Sequence, residues 1–249
     1  MIDLHSHILP GVDDGARTIE ESVEIARAAV ADGIEAMAAT PHVRDDYPTG
    51  AATMEQRVDE VRAALLEAAV PLRLHTGGEI AFDRLARLDP DDRRRFGLGG
   101  NPGYLLVEFP YYGWPLSLAD DLFHLQVGGC TPVLAHPERN AEVQAAPERL
   151  GSIVEAGTLV QVTAASLDGR LGRSARETGL RLIELRCAHL IASDAHHPGI
   201  RAVGMAAAAR AVGDEALAHW LTDGVPRAVV DGGELPERPE PRRRGWFRR

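Results

Sequence analysis

Seven short apolar runs recur along the chain, separated by longer stretches whose apolar residues repeat at helical spacing. The runs fall at 2–4, 37–39, 72–74, 105–107, 132–135, 159–162 and 190–192. Thr18 followed by Glu21 reads as a capping box opening a helix with Ile19, Val23, Ala26 and Val30 on one face. Thr53 with Gln56 predicts a second box, ahead of Val58, Val61, Leu65 and Ala68. Further helices are expected near 116–127, 147–156, 172–187 and 200–212. Strand and helix alternating in this way give parallel strands joined by helical crossovers, an α/β fold. A TIM-type barrel, whole or incomplete, is the first architecture expected, and an open doubly wound sheet the second. At 249 residues and 45% hydrophobic, the chain is long enough for one large domain of this kind.

The polar residues that follow these runs carry the chemistry. His5 and His7 follow the first, His42 the second, Glu79 the third, Glu108 the fourth, His136 the fifth, and Asp194 with His196 the last. The carboxyl ends of parallel strands converge on one face of a barrel, where active sites are built. Asp14 and its neighbour Asp13, in the loop after His7, would face the same rim. Imidazoles and carboxylates without thiolates suit Mn²⁺, Fe²⁺ or Zn²⁺, and the set exceeds the needs of one ion. Two or three adjacent ions are expected, with Glu79 or Glu108 bridging. Such clusters favour hydrolysis by a metal-activated hydroxide. Arg139, three residues after His136, and Arg201, after a short Pro-Gly loop, have planar forks that match phosphate oxygens.

Composition excludes several alternatives. All 27 basic residues are Arg, so a phosphate-clamping Lys, a Schiff base and a carbamylated Lys bridge are ruled out. A formal charge of −10 argues against general nucleic-acid binding. Cys130 and Cys187 are far apart and neither has Arg six residues later, so neither heads a cysteine-phosphatase loop. No export signal and no apolar run of membrane-spanning length is present, which leads to the expectation of a cytoplasmic protein. From Pro236 the composition turns to Pro, Glu and Arg, and residues 236–249 are expected to be a disordered tail. Its Arg cluster with Trp246 and Phe247 would allow a weak contact with acidic lipid or a partner.

The segments Asp3-Leu4-His5-Ser6-His7, Val12-Asp13-Asp14-Gly15, Thr40-Pro41-His42, Gly78-Glu79, Val107-Glu108-Phe109-Pro110, Ala135-His136-Pro137-Glu138-Arg139-Asn140 and Ser193-Asp194-Ala195-His196 resemble the PHP (polymerase and histidinol phosphatase) superfamily. Within it they are most similar to the bacterial manganese-dependent protein-tyrosine phosphatases of capsule and exopolysaccharide operons. The resemblance implies a distorted seven-stranded TIM-like (β/α)7 PHP barrel over residues 1–235 holding up to three ions: Mn²⁺, or alternatively Fe²⁺, Zn²⁺ or Mg²⁺. It assigns His5, His7, Glu79 and Asp194 to one ion, Glu79, Glu108 and His136 to a second, and Asp14, His42 and His196 to a third. Arg139 and Arg201 match the phosphate-contacting positions, Asp13 stands behind the ligands, and His42 and His196 are equal candidates for a general acid.

The activity so implied is hydrolysis of phosphotyrosine, on a bacterial tyrosine kinase or another envelope-polysaccharide protein. Two alternatives are a phosphatase of a small monoester such as histidinol phosphate, and a non-catalytic metal-binding regulator. The loop Tyr111-Tyr112-Gly113-Trp114 either borders the site or anchors the next helix. His75, His124, His189, His197 and His219 are expected to be structural.

Overall fold

A computed structural model describes residues 1–197 and 201–240. The Pro-Gly loop at 198–200 and the end of the expected tail, 241–249, lie outside the described residues. Nine strands appear among the described residues: β1 Ile2–Ser6, β2 Ala36–Ala39, β3 His42–Val43, β4 Arg73–His75, β5 Glu79–Ala81, β6 Tyr104–Glu108, β7 Thr131–Ala135, β8 Leu159–Thr163 and β9 Leu190–Ala192. They form a three-stranded sheet, β1-β2-β4, and a six-stranded sheet, β3-β5-β6-β7-β8-β9, in which every pairing is parallel.

The α/β expectation therefore holds, whereas a single seven-stranded sheet is not what the hydrogen bonding gives. Two expected strands are interrupted. The chain leaves β2 at Thr40-Pro41 and resumes pairing as β3, and it leaves β4 at Thr76-Gly77-Gly78 and resumes as β5. Pro41 has no N–H to give a ladder, and its carbonyl accepts from the Glu79 N–H at 3.0 Å. The two sheets meet where β1 lies beside β9. There the Asp194 N–H donates to His5 O and the His7 N–H to Ala195 O, both at 2.8 Å.

Between strands and helices lies a continuous apolar core that includes Leu4, Met37, Leu106, Val107, Leu134, Val160, Val162 and Ile191, all fully buried. The helix Ile19–Ala31 begins as expected, with Thr18 Oγ1 accepting from the Glu21 N–H. The carboxylate of Glu21 turns one residue further back, to the Arg17 N–H at 2.8 Å. The second capping box does not form. Its helix starts earlier, at Ala51–Glu67 with Gly50 as cap, because Ala51 and Met54 join Val58, Val61 and Leu65 on the buried face. Gln56 instead donates to Glu60. The stretch 147–156 divides into a 3-10 turn, Pro147–Leu150, and a short helix, Gly151–Glu155. The last of the expected helices is Met205–Val212, preceded by Gly204 at φ 75°, where a Cβ would meet the Arg170 guanidinium at 2.2 Å.

The first residues of the expected tail make contacts with the domain. Trp220 Nε1 donates to Pro236 O at 2.9 Å. Arg238 donates to Ala188 O and Ile183 O, each at 2.7 Å, with its guanidinium over the Trp220 ring. Both cysteines are free, Cys187 buried and Cys130 half-buried. No described helix is long and apolar enough to cross a membrane.

Candidate metal centre

The ligand-type residues sit at or just beyond the carboxyl end of a strand or at the restart of an interrupted one, except Asp14 and His196, which come from the loops after β1 and β9. The β3–β5 register sets His42 directly opposite Glu79. One step along, Ala81 of β5 pairs with Glu108, the last residue of β6. His136 and Asp194 follow β7 and β9 in the left-handed region, at φ 39° and 53°. For residues other than Gly this conformation is uncommon and costs about 1–3 kcal/mol, a strain that collects at functional sites. Both side chains are buried.

His5 Nε2 and His7 Nε2 lie 3.2 Å apart, each within 3.5 Å of Glu79 Oε2 and Asp194 Oδ1. His136 Nε2 is 2.8 Å from Glu79 Oε1, and His42 Nδ1 is 2.8 Å from Glu79 Oε2 and 3.7 Å from Glu108 Oε2. At the outer end Asp14 Oδ1 is 3.4 Å from His42 Nε2 and 3.2 Å from His196 Nε2. Four donor groups that could each hold an ion result: His7, Asp14, His42 and His196; His5, Glu79 and His136; His5, His7 and Asp194; His42, Glu79 and Glu108. All nine of the expected ligands are brought together. Glu79 belongs to two groups, and Glu108 is grouped with Glu79 and His42, whereas His136 is grouped with Glu79 and His5.

The donor set fits divalent cations on two counts. It consists of imidazole nitrogens and carboxylate oxygens. In addition, buried His136 Nδ1 has no hydrogen-bond partner, and His42 Nδ1, Glu79 Oε2 and His196 Nε2 face other donor atoms at 2.8–3.2 Å without hydrogen-bond geometry, a costly arrangement unless something else satisfies them. Three rings are oriented from behind. Asp13 Oδ2 meets His7 Nδ1 at 2.7 Å, Gln161 Oε1 meets His5 Nδ1 at 3.0 Å, and Asp194 O meets His196 Nδ1 at 2.9 Å. These contacts turn the remaining nitrogens inward.

Electrostatics favour cation capture. Burial alone would push Glu79 up, but the His5 and His42 rings overcome it and hold the carboxyl well below the usual range. Burial, then the neighbouring Glu79 charge, pushes Glu108 up to about 7. Burial also brings His136 down to about 4, and His196, beside His7, down to about 4. His136 and His196 are thus held in the neutral form that metal ligation needs, whereas the surrounding carboxylates, against burial, raise His5, His7 and His42, the last to about 9, so an ion entering there would displace protons.

Arg139 and Arg201 both reach this face. Arg139 Nη1 donates to Asp194 Oδ2 at 2.7 Å; Arg201 donates to Asp14 Oδ2 at 3.2 Å and Asp194 Oδ1 at 3.3 Å. Of the two parts foreseen for the loop after Glu108, its contacts bear on the first. Tyr111 lies parallel to the His136 ring at 6.0 Å, bordering the cluster, while Trp114 packs edge-on against Phe109 under Arg149. None of His75, His124, His189, His197 and His219 joins a donor group among the described residues.

Sequence reasoning missed Gln161 and Arg44. Gln161 is the one uncharged amide inside the apolar run of β8, fully buried, and that position was its signal. Arg44 donates to Glu108 Oε1 at 3.2 Å, and nothing about its spacing distinguished it from a surface Arg.

Residues 1–220 match the family described as capsular polysaccharide synthesis, CpsB/CapC. The tyrosine-protein phosphatase YwqE of Bacillus subtilis (strain 168) is 40% identical over 199 residues, 79% of this chain and 78% of that protein. The tyrosine-protein phosphatase CpsB of Streptococcus pneumoniae is 26% identical over 203 residues, 79% of this chain and 83% of that protein. A solved structure from work on YwqE and CpsB, described as unique metal-dependent tyrosine phosphatases, superimposes with a TM-score of 0.85 at 34% identity, covering 97% of this chain and 100% of that one. The chain belongs to the CpsB/CapC capsular polysaccharide synthesis family.

Proposed function

We propose that this protein is a metal-dependent protein-tyrosine phosphatase. One observation carries the reading: nine imidazole and carboxylate ligands converge, and two arginines contact the same carboxylates from the open side. The phosphatases YwqE and CpsB among its relatives support it. His5, His7, Glu79 and Asp194 would hold one ion, Glu79, Glu108 and His136 a second, and Asp14, His42 and His196 a third. Mn²⁺ is the ion proposed, with Fe²⁺, Zn²⁺ and Mg²⁺ as alternatives for the same donors. Bound there, such ions supply an activated water nucleophile and neutralise phosphate charge.

The chain's own residues do the rest. Arg139 and Arg201 orient the phosphate and take up charge as it develops on the oxygens. Asp13 and Gln161 keep the His7 and His5 rings fixed. A phenolate, with its parent pKa of about 10, leaves with little protonation, so His42 or His196 need act as general acid only weakly. With the interrupted pairs β2/β3 and β4/β5 each counted as one stave, the strands read as seven around a distorted PHP barrel. That domain spans residues 1–235, placed in the cytoplasm and acting on a tyrosine-phosphorylated protein such as a bacterial tyrosine kinase. Residues 242–249, with five Arg, Trp246 and Phe247, suit a weak contact with acidic lipid or that partner.

Turnover of a phosphotyrosine peptide and of histidinol phosphate, with Mn²⁺ added and after chelation, tests this. Expected is peptide hydrolysis that chelation abolishes and Mn²⁺ restores. Preference for histidinol phosphate would favour the small-monoester enzyme, and no metal-dependent turnover of any aryl phosphate the non-catalytic regulator. His136→Ala should lose metal and activity together. Arg139→Ala should keep its metal and lose roughly 10²–10³-fold in kcat/KM.

A further inference from the structure

Arg201 owes its place to its backbone, and that backbone is held by another arginine. Residues 201–204 belong to no strand or helix, so their carbonyls have no ladder to satisfy them. Arg170 lies in the loop between the helices Ala164–Leu167 and Arg173–Glu184 and supplies donors, Nη1 to Ala202 O at 2.7 Å and Nη2 to Val203 O at 3.2 Å. We propose that Arg170 is a positioning residue for phosphate binding, fixing the backbone just beyond Arg201 so that the Arg201 guanidinium stands ready beside the metal centre. The inference rests on the phosphatase reading, in which Arg201 contacts the phosphate, and adds the residue that holds it there.

Arg170 is itself firmly anchored. Asp168 Oδ2 accepts from Arg170 Nε at 2.8 Å and lies 2.7 Å from Nη2, and Asp168 Oδ1 accepts from the Arg170 N–H at 3.1 Å. Only 25% of the Arg170 side chain and 13% of that of Asp168 are exposed, so solvent screens the pair less than it would a surface bridge. The helix Ala164–Leu167 behind them is buried at every residue, and its Ser166 hydroxyl donates to Glu138 Oε1 at 2.7 Å, beside Arg139. One corner of the fold, at the end of β8, is thus the footing for the segments that carry both arginines.

The held segment is fixed on its other sides as well. Val203 is buried, and Gly204 passes the guanidinium at φ 75°, where a Cβ would collide with Arg170 Nη2. Two residues on, the Ala206 N–H donates to Asp32 Oδ2 at 3.0 Å. Upstream, the Arg201 carbonyl accepts from the His196 N–H at 3.0 Å, which ties the segment directly to a metal-type residue. The Arg201 guanidinium then reaches Asp14 Oδ2 at 3.2 Å and Asp194 Oδ1 at 3.3 Å. A long side chain on loose backbone must be ordered as each phosphate arrives, which lowers affinity, and backbone fixed beforehand removes part of that cost. Arg170 aims these donors at Asp168, Ala202 and Val203, so its effect on the phosphate runs through Arg201.

Calorimetric titration of the Mn²⁺-loaded full chain with inorganic phosphate, in a double-mutant cycle of Arg170→Ala and Arg201→Ala, tests this. Arg201→Ala is expected to weaken phosphate about thirtyfold and Arg170→Ala about tenfold, with metal content retained in both. In the Arg201→Ala background the Arg170 substitution should weaken phosphate less than about twofold, since nothing is left for it to position. Asp168→Asn, which keeps the guanidinium but loosens its anchor, should weaken phosphate about threefold with the same non-additivity, and it decides the matter if Arg170→Ala does not fold. Phosphate affinity unchanged in these variants, or in Arg201→Ala itself, would overturn the proposal. Losses at 170 and 201 that simply multiply would also overturn it, because general damage to the loop gives that result. Phosphotyrosine-peptide turnover on the same samples reports separately on the phosphatase reading. A cycle that behaves as expected in a wild type without turnover would keep the coupling of Arg170 to Arg201 and discard the phosphatase.

Discussion

Gly15 shows how tightly single residues constrain this site. A Cβ there would lie 2.1 Å from His7 O and 2.4 Å from His7 Cβ, contacts that only backbone movement could relieve. The loop it belongs to is tied down on both sides, by the Gly15 N–H to Asp13 Oδ1 at 2.9 Å and the Ala16 N–H to His7 O at 3.0 Å. Gly15→Ala should therefore displace His7, lower the bound-metal stoichiometry and reduce kcat/KM more than tenfold, although it alters no ligand. Full metal content in that variant would show that the loop accommodates the methyl group. Most of the donor residues that meet here were legible because each is a His, Asp or Glu placed just after an apolar run, a pattern that local order alone reveals. Gln161 and Arg44 were not, since their roles depend on which side chains face them across the sheet.

At the level of elements, strand existence followed from apolar periodicity, and strand continuity did not. β3 and β5 have two and three residues, too short for any alternation, and they are defined by pairing, β3 with β5 and β5 with β6 as well. The Thr53 capping box failed for a related reason: burial of Ala51 and Met54 outweighed a local cap, as tertiary packing commonly does. β8 and β9 are joined partly through His189, whose Nδ1 accepts from the Val160 N–H at 3.1 Å. Burial, with Arg238 nearby, brings His189 down to about 4. Its folded value is thus below its unfolded one of about 6.5, so its stabilising contribution is complete above pH 6.5 and declines as pH falls toward 4. His189→Asn keeps an acceptor without a titrating ring. Melting temperatures of the variant and wild type should converge, or cross in the variant's favour, as pH drops from 7 to 4. A constant difference over that interval would argue against the ring's titration.

Over the whole molecule, the described C-terminal segment closes against the domain. Composition could not show these contacts, because a Pro, Glu and Arg sequence reads as solvated until the carbonyls it satisfies are known. Arg238 supplies charged donors to Ile183 O and Ala188 O and covers Trp220. Arg238→Ala should lower the melting temperature by roughly 4–8 °C while leaving metal content intact. An unchanged melting curve would mean that the segment rests on the surface without supporting it. The junction of β1 with β9 has a consequence for the order of events in the cell. The Ser193 N–H reaches Asp3 Oδ1 at 2.9 Å across 190 residues of sequence, and His5 and His7 face Asp194 across the same seam. A nascent chain that has made only its first strands holds two histidines without the carboxylate that completes their group. The His5, His7 and Asp194 group is therefore completed only when nearly the whole polypeptide has been made, whereas the two groups that share Glu79 need nothing beyond His136.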